Sequence, residues 1–222
     1  MDKIYIQARS ITLKWKYELI SKFKLHGKIL DYGCGTGEFL HFMQVKNWKV
    51  SGVEPSEIAK HKATQITQSE ILTDLNSTKD KFDAITLWHV LEHVHDLNQK
   101  INDLINHLND DGIIFIAVPN HESEDAKKYR SYWAGYDVPR HVWHFSQSNM
   151  KHLLNKHGLS LIKTEPMKLD SYYVSLLSEI YKNPNAMSLI SMSRAFFSGL
   201  QSNRHARKTG SYSSLIYIAK RS

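Results

Sequence analysis

The stretch ILDYGCGTGEFL, Ile29–Leu40, decides the fold. Apolar and aromatic residues surround one acid, Asp31, and then glycine occupies every second position at Gly33, Gly35 and Gly37. In a strand or helix interior, glycine costs roughly 0.5–1 kcal/mol relative to alanine. Three of them beside a strand-like run therefore need a reason. A plain tight turn needs only one. Three at alternate positions allow a sharp turn and let a ligand lie against bare backbone at the carboxyl end of a strand.

Outward from that turn, strand and helix patterns alternate. KILDY reads as a short buried strand and EFLHFMQVK as a helix. WKVSGVEP is a strand stopped by Pro55, and SEIAKHKATQI is a helix with Ser56 placed as its cap. SEILTDL, FDAITLWHV and GIIFIAVPN are further strands. LNQKINDLINHL is a helix, followed by a turn at Asp110-Asp111-Gly112. Strands that are apolar throughout and alternate with helices indicate an α/β, Rossmann-like parallel sheet covered on both faces. Lys28 to Asn120 accommodates five such units. Ahead of them, Ile11–Phe23 is an amphipathic helix. Behind them, His121–His144 is polar and aromatic without clear period. SQSNMKHLLNKHG is a helix, LSLIKTEP a strand, Asp170–Leu200 a helical insertion and SSLIYIAK the last strand. The expected organisation is a single domain over 1–222: an N-terminal helical segment 1–27, a core 28–166, a cap insertion 167–210 and a final strand 211–222.

Composition narrows the class. The 222 residues are 41% hydrophobic and 23% charged, a globular balance. No apolar run approaches the roughly 20 residues that cross a bilayer, and MDKIYIQARS lacks the apolar core of a signal peptide. The expected location is cytoplasmic. Cys34 is the only cysteine, so no internal disulfide forms. The net charge of +7 admits nucleic acid or an anionic membrane as partner. The densest basic cluster, NRHARK at Asn203–Lys208, reads as a solvated loop.

The glycine spacing fits neither the dinucleotide fingerprint G-x-G-x-x-G nor the phosphate loop, which needs a lysine. Glu54 ends the second strand 17 residues after Gly37, where an acid can accept hydrogen bonds from ribose hydroxyls. DYGCGTG, the acid of VEPS and a second acid in LTDL resemble the class I S-adenosylmethionine-dependent methyltransferases, over most of Lys28–Pro166. VLEHVHD and PRHVWHFS are similar to elements of the ubiquinone-biosynthesis-type (methyltransferase domain 23-like) group. The resemblance implies a seven-stranded, mostly parallel sheet whose last two strands form an antiparallel pair. It implies S-adenosylmethionine as cofactor and S-adenosylhomocysteine as product. Carried over by position, the turn with Asp31, Gly33, Cys34 and Gly35 embraces the methionine part, and Gly37 completes it. Glu54 holds the ribose, Asp74 with the backbone at Leu75 lies near adenine, and Trp88 and His89 flank the methyl group.

Methyl transfer from a sulfonium is an in-line displacement, so alignment does most of the work and a base is needed only for a hydroxyl or protonated amine. His89, His93 and His141 are the candidate catalytic residues. For His89 the alternative is a polar residue closing the cofactor pocket. Glu92 and His93, with Asp96 or His141, offer a metal-binding alternative to a plain helix-start arrangement, although no metal is assigned to the site. Arg140 either holds an acidic acceptor or forms a salt bridge within its loop. Trp133 and Tyr136, in an aromatic loop with Tyr129, Tyr132 and Trp143, are candidate substrate contacts or a satellite core. SYYVSLLSEIY reads as a cap helix, with a membrane or dimer surface as the alternative. The expected activity is methyl transfer to O or N of a small, aromatic or lipid-linked acceptor. The alternatives are an RNA methyltransferase, disfavoured by the absence of an RNA-binding motif, and a non-catalytic S-adenosylmethionine-binding protein. The glycine spacing counts against a nicotinamide oxidoreductase.

Overall fold

A computed structural model describes residues 2–183 and 189–222. The helices are α1 (Asp2–Ser21), α2 (Glu38–Val45), α3 (Glu57–Thr67), α4 (Leu97–Asn106), α5 (Glu124–Tyr129), α6 (Gln147–Lys156), α7 (Asp170–Lys182) and α8 (Leu189–Thr209). The strands are β1 (Lys28–Tyr32), β2 (Lys49–Val53), β3 (Ile71–Leu72), β4 (Phe82–Trp88), β5 (Leu108–Pro119), β6 (Leu159–Pro166) and β7 (Ser214–Arg221). They form one seven-stranded sheet in the order β3-β2-β1-β4-β5-β7-β6. This is the α/β, mostly parallel architecture that the strand–helix alternation predicts.

Two compact units divide the chain. The first contains residues up to 87, 98–115 and 221; the second contains 88–97, 116–220 and 222. In the first unit β1 is the parallel partner of both β2 and β4, with Asp31 level with Gly52 on one side and Thr86 on the other. Its interior is lined by Ile29, Leu30, Leu40, Met43, Phe82 and Ile85, all fully buried. Strand residues buried on both faces explain why these runs are continuously apolar rather than alternating. Ser56 caps α3 as expected, its hydroxyl accepting from the Ala59 N–H.

In the second unit the chain ends in the expected antiparallel pair. Met167 N donates to Ser214 O while Ser222 N donates to Gly158 O, so the start of each strand meets the end of the other. Helix α6 starts at Ser146, whose hydroxyl accepts from the Asn149 N–H, and stops before Gly158 at φ +71°.

Four expectations change. The turn at Asp110-Asp111-Gly112 is not a turn: β5 runs through it, with both acids exposed and Gly112 admitting the side chain of Leu108, which would lie 2.7 Å from an added Cβ. The SEILTDL strand shrinks to Ile71–Leu72. His121–His144 contains α5 and two 3-10 turns, organised by tertiary contacts that leave no period. NRHARK is not a loop but the last turns of α8. Of the helical insertion Asp170–Leu200, residues 184–188 lie outside the described residues.

The second unit is centred on Asp125, which is 1% exposed. Its carboxylate accepts from Trp133 Nε1 at 2.8 Å, Ser202 Oγ at 2.6 Å and Ser213 Oγ at 2.7 Å, tying α5 to the following loop, α8 and the entry to β7. Removing an acceptor from a buried donor costs about 1–3 kcal/mol per group. Asp125→Ala is expected to lower stability by about 3–5 kcal/mol, and Asp125→Asn by less. Urea unfolding followed by circular dichroism measures both.

Candidate active site

The glycine turn needs every one of its glycines. Gly33, Gly35 and Gly37 have φ of +78°, +55° and +84°, the left-handed region that side chains disfavour. Gly37 also lies against α3, where an added Cβ would sit 2.8 Å from the Ala63 Cα. An added Cβ at Gly35 would meet nothing within 4 Å, so bare backbone there faces open space. The buried Glu54 holds the turn in place: one carboxylate oxygen accepts from Gly35 N at 2.8 Å and the other from Ser56 N at 3.0 Å. Each oxygen retains a lone pair for a hydroxyl-bearing ligand.

Asp31 lies at the end of β1 and is 3% exposed. Burial pushes its pKa up to about 6, partly opposed by the 2.7 Å hydrogen bond from Thr86 and by the charge of Lys16. Cys34 is buried and its thiol is pushed up to about 12, mainly by burial, so it stays protonated and inert as a nucleophile. Asp74 caps the 3-10 turn Leu75–Ser77 by accepting from Asn76 N at 2.8 Å; the Leu75 side chain is fully buried, which leaves its backbone as the usable surface. Lys100, which the sequence reading missed, stands 4.0 Å from Asp74 and 3.7 Å from Asp103. Burial opposes its charge, but the Tyr32 hydroxyl and the two acids raise its pKa and keep it cationic. Its only sequence signal is a lysine three residues before an acid on the polar side of α4.

The second unit gathers the histidines. Trp88 ends β4, and His89 then leaves the strand at φ +58° while its N–H still donates to Ala117 O on β5. The next turn, Leu91–His93, receives the PRHVWHFS segment: Val142 N and Trp143 N both donate to Glu92 O, and Trp143 Nε1 donates to Val94 O. The two sequence elements thereby meet, with the His93 and His141 rings edge to face at 4.6 Å.

Each histidine is held differently. His89 lies between two carboxylates, Nδ1 3.3 Å from Glu92 Oε1 and Nε2 2.9 Å from Asp170 Oδ2. Burial works against its charge, but the hydrogen bonds and charges of Asp170 and Glu92 outweigh it and raise the pKa to about 10. His89 is therefore an imidazolium at neutral pH, with no nitrogen free to take a proton. His141 donates from Nδ1 to Gly135 O at 2.9 Å, and burial lowers its pKa, so it is neutral. The lone pair on its Nε2 faces Glu92 Oε1 at 4.0 Å and Asp137 Oδ2 at 3.8 Å. His93 uses Nδ1 on Arg140 O at 3.0 Å.

Glu92 is fully buried, and its Oε2 has no hydrogen-bond partner among the described residues. Glu92, His93 and His141 each offer a ligand atom within 4.8 Å of the others. Backbone carbonyls fix both imidazoles through Nδ1, the outer-sphere arrangement of metal-binding histidines. One carboxylate and two imidazoles suit a divalent transition ion.

The remaining candidates separate. Trp133 is 1% exposed and packs with Tyr129 and Ala126, its only donor spent on Asp125; here it is core rather than substrate wall. Tyr136 stacks edge to face between Trp133 and His144. Arg140 is exposed and pairs with Asp137 at 2.6 Å, the salt-bridge alternative. Asp170 and Asp137 were not anticipated, because the contact between Asp170 and His89 spans 81 residues of sequence.

Asp31 yields a stability test. A buried carboxyl whose pKa is raised makes the fold less stable as pH rises from about 3.8 to about 6, since the unfolded chain releases the proton first. At pH 7 the penalty is up to about 3 kcal/mol. Asp31→Asn is expected to be more stable than wild type at neutral pH and to lose that advantage near pH 4, as measured by denaturant titration.

Comparison with known proteins places these features. The family model described as a methyltransferase domain matches residues 7–164. The ubiquinone biosynthesis O-methyltransferase of Pelagibacter ubique is 28% identical over 203 residues, covering 78% of this chain and 80% of that protein. Among solved structures, magnesium protoporphyrin IX methyltransferase from Synechocystis PCC 6803, with bound S-adenosylhomocysteine, superposes with a TM-score of 0.60 at 17% identity, covering 97% of this chain and 83% of its own. The cyclopropane synthase MmaA2 from Mycobacterium tuberculosis gives 0.62 at 14% identity, covering 92% and 82%. With the family model spanning most of its length and the glycine turn, its buried acid and the sheet order all in place, the chain belongs to the methyltransferase domain family and is an S-adenosylmethionine-dependent methyltransferase.

Proposed function

We propose that the chain methylates an oxygen or nitrogen of a small acceptor, aromatic or lipid-linked, within a single methyltransferase domain. The observation that carries this reading is the neutral His141, whose unprotonated Nε2 faces two carboxylates. A group poised to take a proton is required for a hydroxyl or ammonium acceptor and has no use in a protein that only binds the donor. The name of the Pelagibacter relative, an O-methyltransferase of ubiquinone biosynthesis, agrees with an aromatic, lipid-linked acceptor. The proposed location is the cytoplasm, in keeping with a lone cysteine that has no partner in the sequence for a disulfide. The chain has no helix among its described residues that is long and apolar enough to cross a membrane.

Asp31, Gly33, Cys34, Gly35 and Gly37 form the proposed cradle of the donor's amino-acid part, Glu54 takes the ribose hydroxyls, Asp74 and the Leu75 backbone take adenine, and Trp88 flanks the sulfonium. The donor supplies an activated methyl group. The acceptor lone pair attacks the methyl carbon, the carbon–sulfur bond breaks, and the electron pair leaves on the sulfur of S-adenosylhomocysteine. The acceptor's proton passes to His141 Nε2, where Glu92 and Asp137 stabilise the new imidazolium. His89 acts as a positioning residue: as a cation it neutralises Glu92 and anchors Asp170. His93 is the second imidazole of the site, and Tyr136 and Arg140 border it.

A divalent ion bound by Glu92, His93 and His141 is the second reading, favoured by the orphaned Glu92 Oε2. It would activate the acceptor hydroxyl directly. Overnight chelation separates the two: base catalysis survives it, and metal-assisted catalysis does not.

Titration calorimetry with S-adenosylhomocysteine tests the cofactor assignment. Glu54→Ala is expected to weaken binding about 10- to 150-fold, the loss of charge-assisted hydrogen bonds. His141→Ala should leave that affinity unchanged and lower methyl transfer to a hydroxyl acceptor about 10²- to 10⁴-fold. An unchanged rate in His141→Ala would remove the base from the mechanism.

A further inference from the structure

Helices α7 and α8 pack closely at one point and leave several large apolar side chains of α8 exposed. Their buried positions carry small side chains: Ser171, Ser175 and Ser178 on α7 are fully buried, as are Ala195, Ser198 and Ala206 on α8 to within 2%. At Gly199 the two backbones nearly touch, since an added Cβ would lie 3.0 Å from both the Tyr172 Cα and its nitrogen. The Ser171 hydroxyl donates to Gly199 O across that contact. Beside that contact the Phe196 ring stacks on Tyr172 of α7 at 5.4 Å.

The large residues face out instead. Ile190 and Phe197 are each 64% exposed, Phe196 55%, Met192 51% and Leu200 42%. Ile190, Phe197, Leu200, Arg204 and Arg207 recur at helical spacing and share one face. Along that face the apolar residues occupy the first half of α8, and Arg204, Arg207 and Lys208 its end. Helix α8 has four Lys or Arg residues and no Asp or Glu. An exposed apolar face of this size marks an interaction site.

We propose that this face of α8 docks the chain on an anionic phospholipid bilayer. Apolar residues beside cations, without one acid, suit the acyl boundary and the phosphate layer of such a surface. A second copy paired in parallel would bring these cations together, whereas the phosphates of an anionic surface complement them directly. The helix is not apolar enough to cross a membrane, so it lies on the surface. The proposal does not depend on the identity of the methyl acceptor.

Co-sedimentation tests it, with vesicles of phosphatidylcholine alone and with added phosphatidylglycerol. The wild type is expected to partition onto the anionic vesicles, to leave them at high salt, and to ignore the neutral ones. Ile190→Ser/Phe197→Ser should reduce partitioning about tenfold or more. Arg204→Ser/Arg207→Ser/Lys208→Ser should reduce it about a hundredfold. Unchanged circular dichroism and S-adenosylhomocysteine affinity confirm that both variants fold. Equal binding of the wild type to both vesicles, or to neither, overturns the proposal without reference to any variant. So does a lipid-free dimer that Ile190→Ser/Phe197→Ser dissociates.

Discussion

An ionised carboxylate cannot enter a protein interior without donors around it, and this chain buries several. Asp31, Glu54, Glu92 and Asp125 are all at or below 9% exposure. Each meets the constraint in its own way. Asp31 accepts from Thr86 and moves its pKa toward neutrality. Glu54 accepts two backbone N–H groups. Glu92 is compensated by the His89 cation. Asp125 collects an indole and two hydroxyls. Only Asp125 is spent wholly on structure. The other three are the acids of the proposed donor and proton sites.

The division follows the chain. In the first unit, acids organise backbone: Glu54 pins Gly35 and Ser56, and Asp74 caps a 3-10 turn. The oxygens of Glu54 keep lone pairs that the Gly35 and Ser56 N–H groups do not use. In the second unit, acids organise imidazoles, and the same residue type yields opposite outcomes. His89, hydrogen-bonded to two carboxylates, is held as a cation; His141, bonded to a carbonyl and buried, is held neutral. Neighbouring histidines with pKa values driven apart are a way to separate an electrostatic role from a proton-accepting one.

The α7–α8 pair shows a different economy. Hydroxyl-bearing and small residues take the buried positions, with Ser178 Oγ donating to Val174 O and accepting from Ala134 N. Ser171 and Ser178 tolerate burial because their hydroxyls bond backbone carbonyls of their own helix or of α8. The apolar side chains displaced from the interior then determine the surface chemistry of α8.

Much was legible in the sequence because local constraints dictate it. Positive φ at Gly33, Gly35 and Gly37, the cap at Ser56, the stop at Gly158 and the continuously apolar strands are backbone matters, visible wherever residue type limits conformation. The parallel α/β sheet followed from these, while the family and the cofactor came from the resemblance carried by DYGCGTG, VEPS and LTDL. What stayed hidden involved partners distant in sequence. No periodicity announces that Asp170 binds His89, that Trp133 serves Asp125 from the interior, or that NRHARK continues a helix. The protonation states of His89 and His141 were equally out of reach. Sequence alone determined the glycine turn, the helix caps and the continuously apolar strands, because those follow from the residue itself; only the tertiary structure decided that β5 runs through Asp110-Asp111-Gly112, which histidine is charged and which aromatic is core, because those follow from what folding brings beside it.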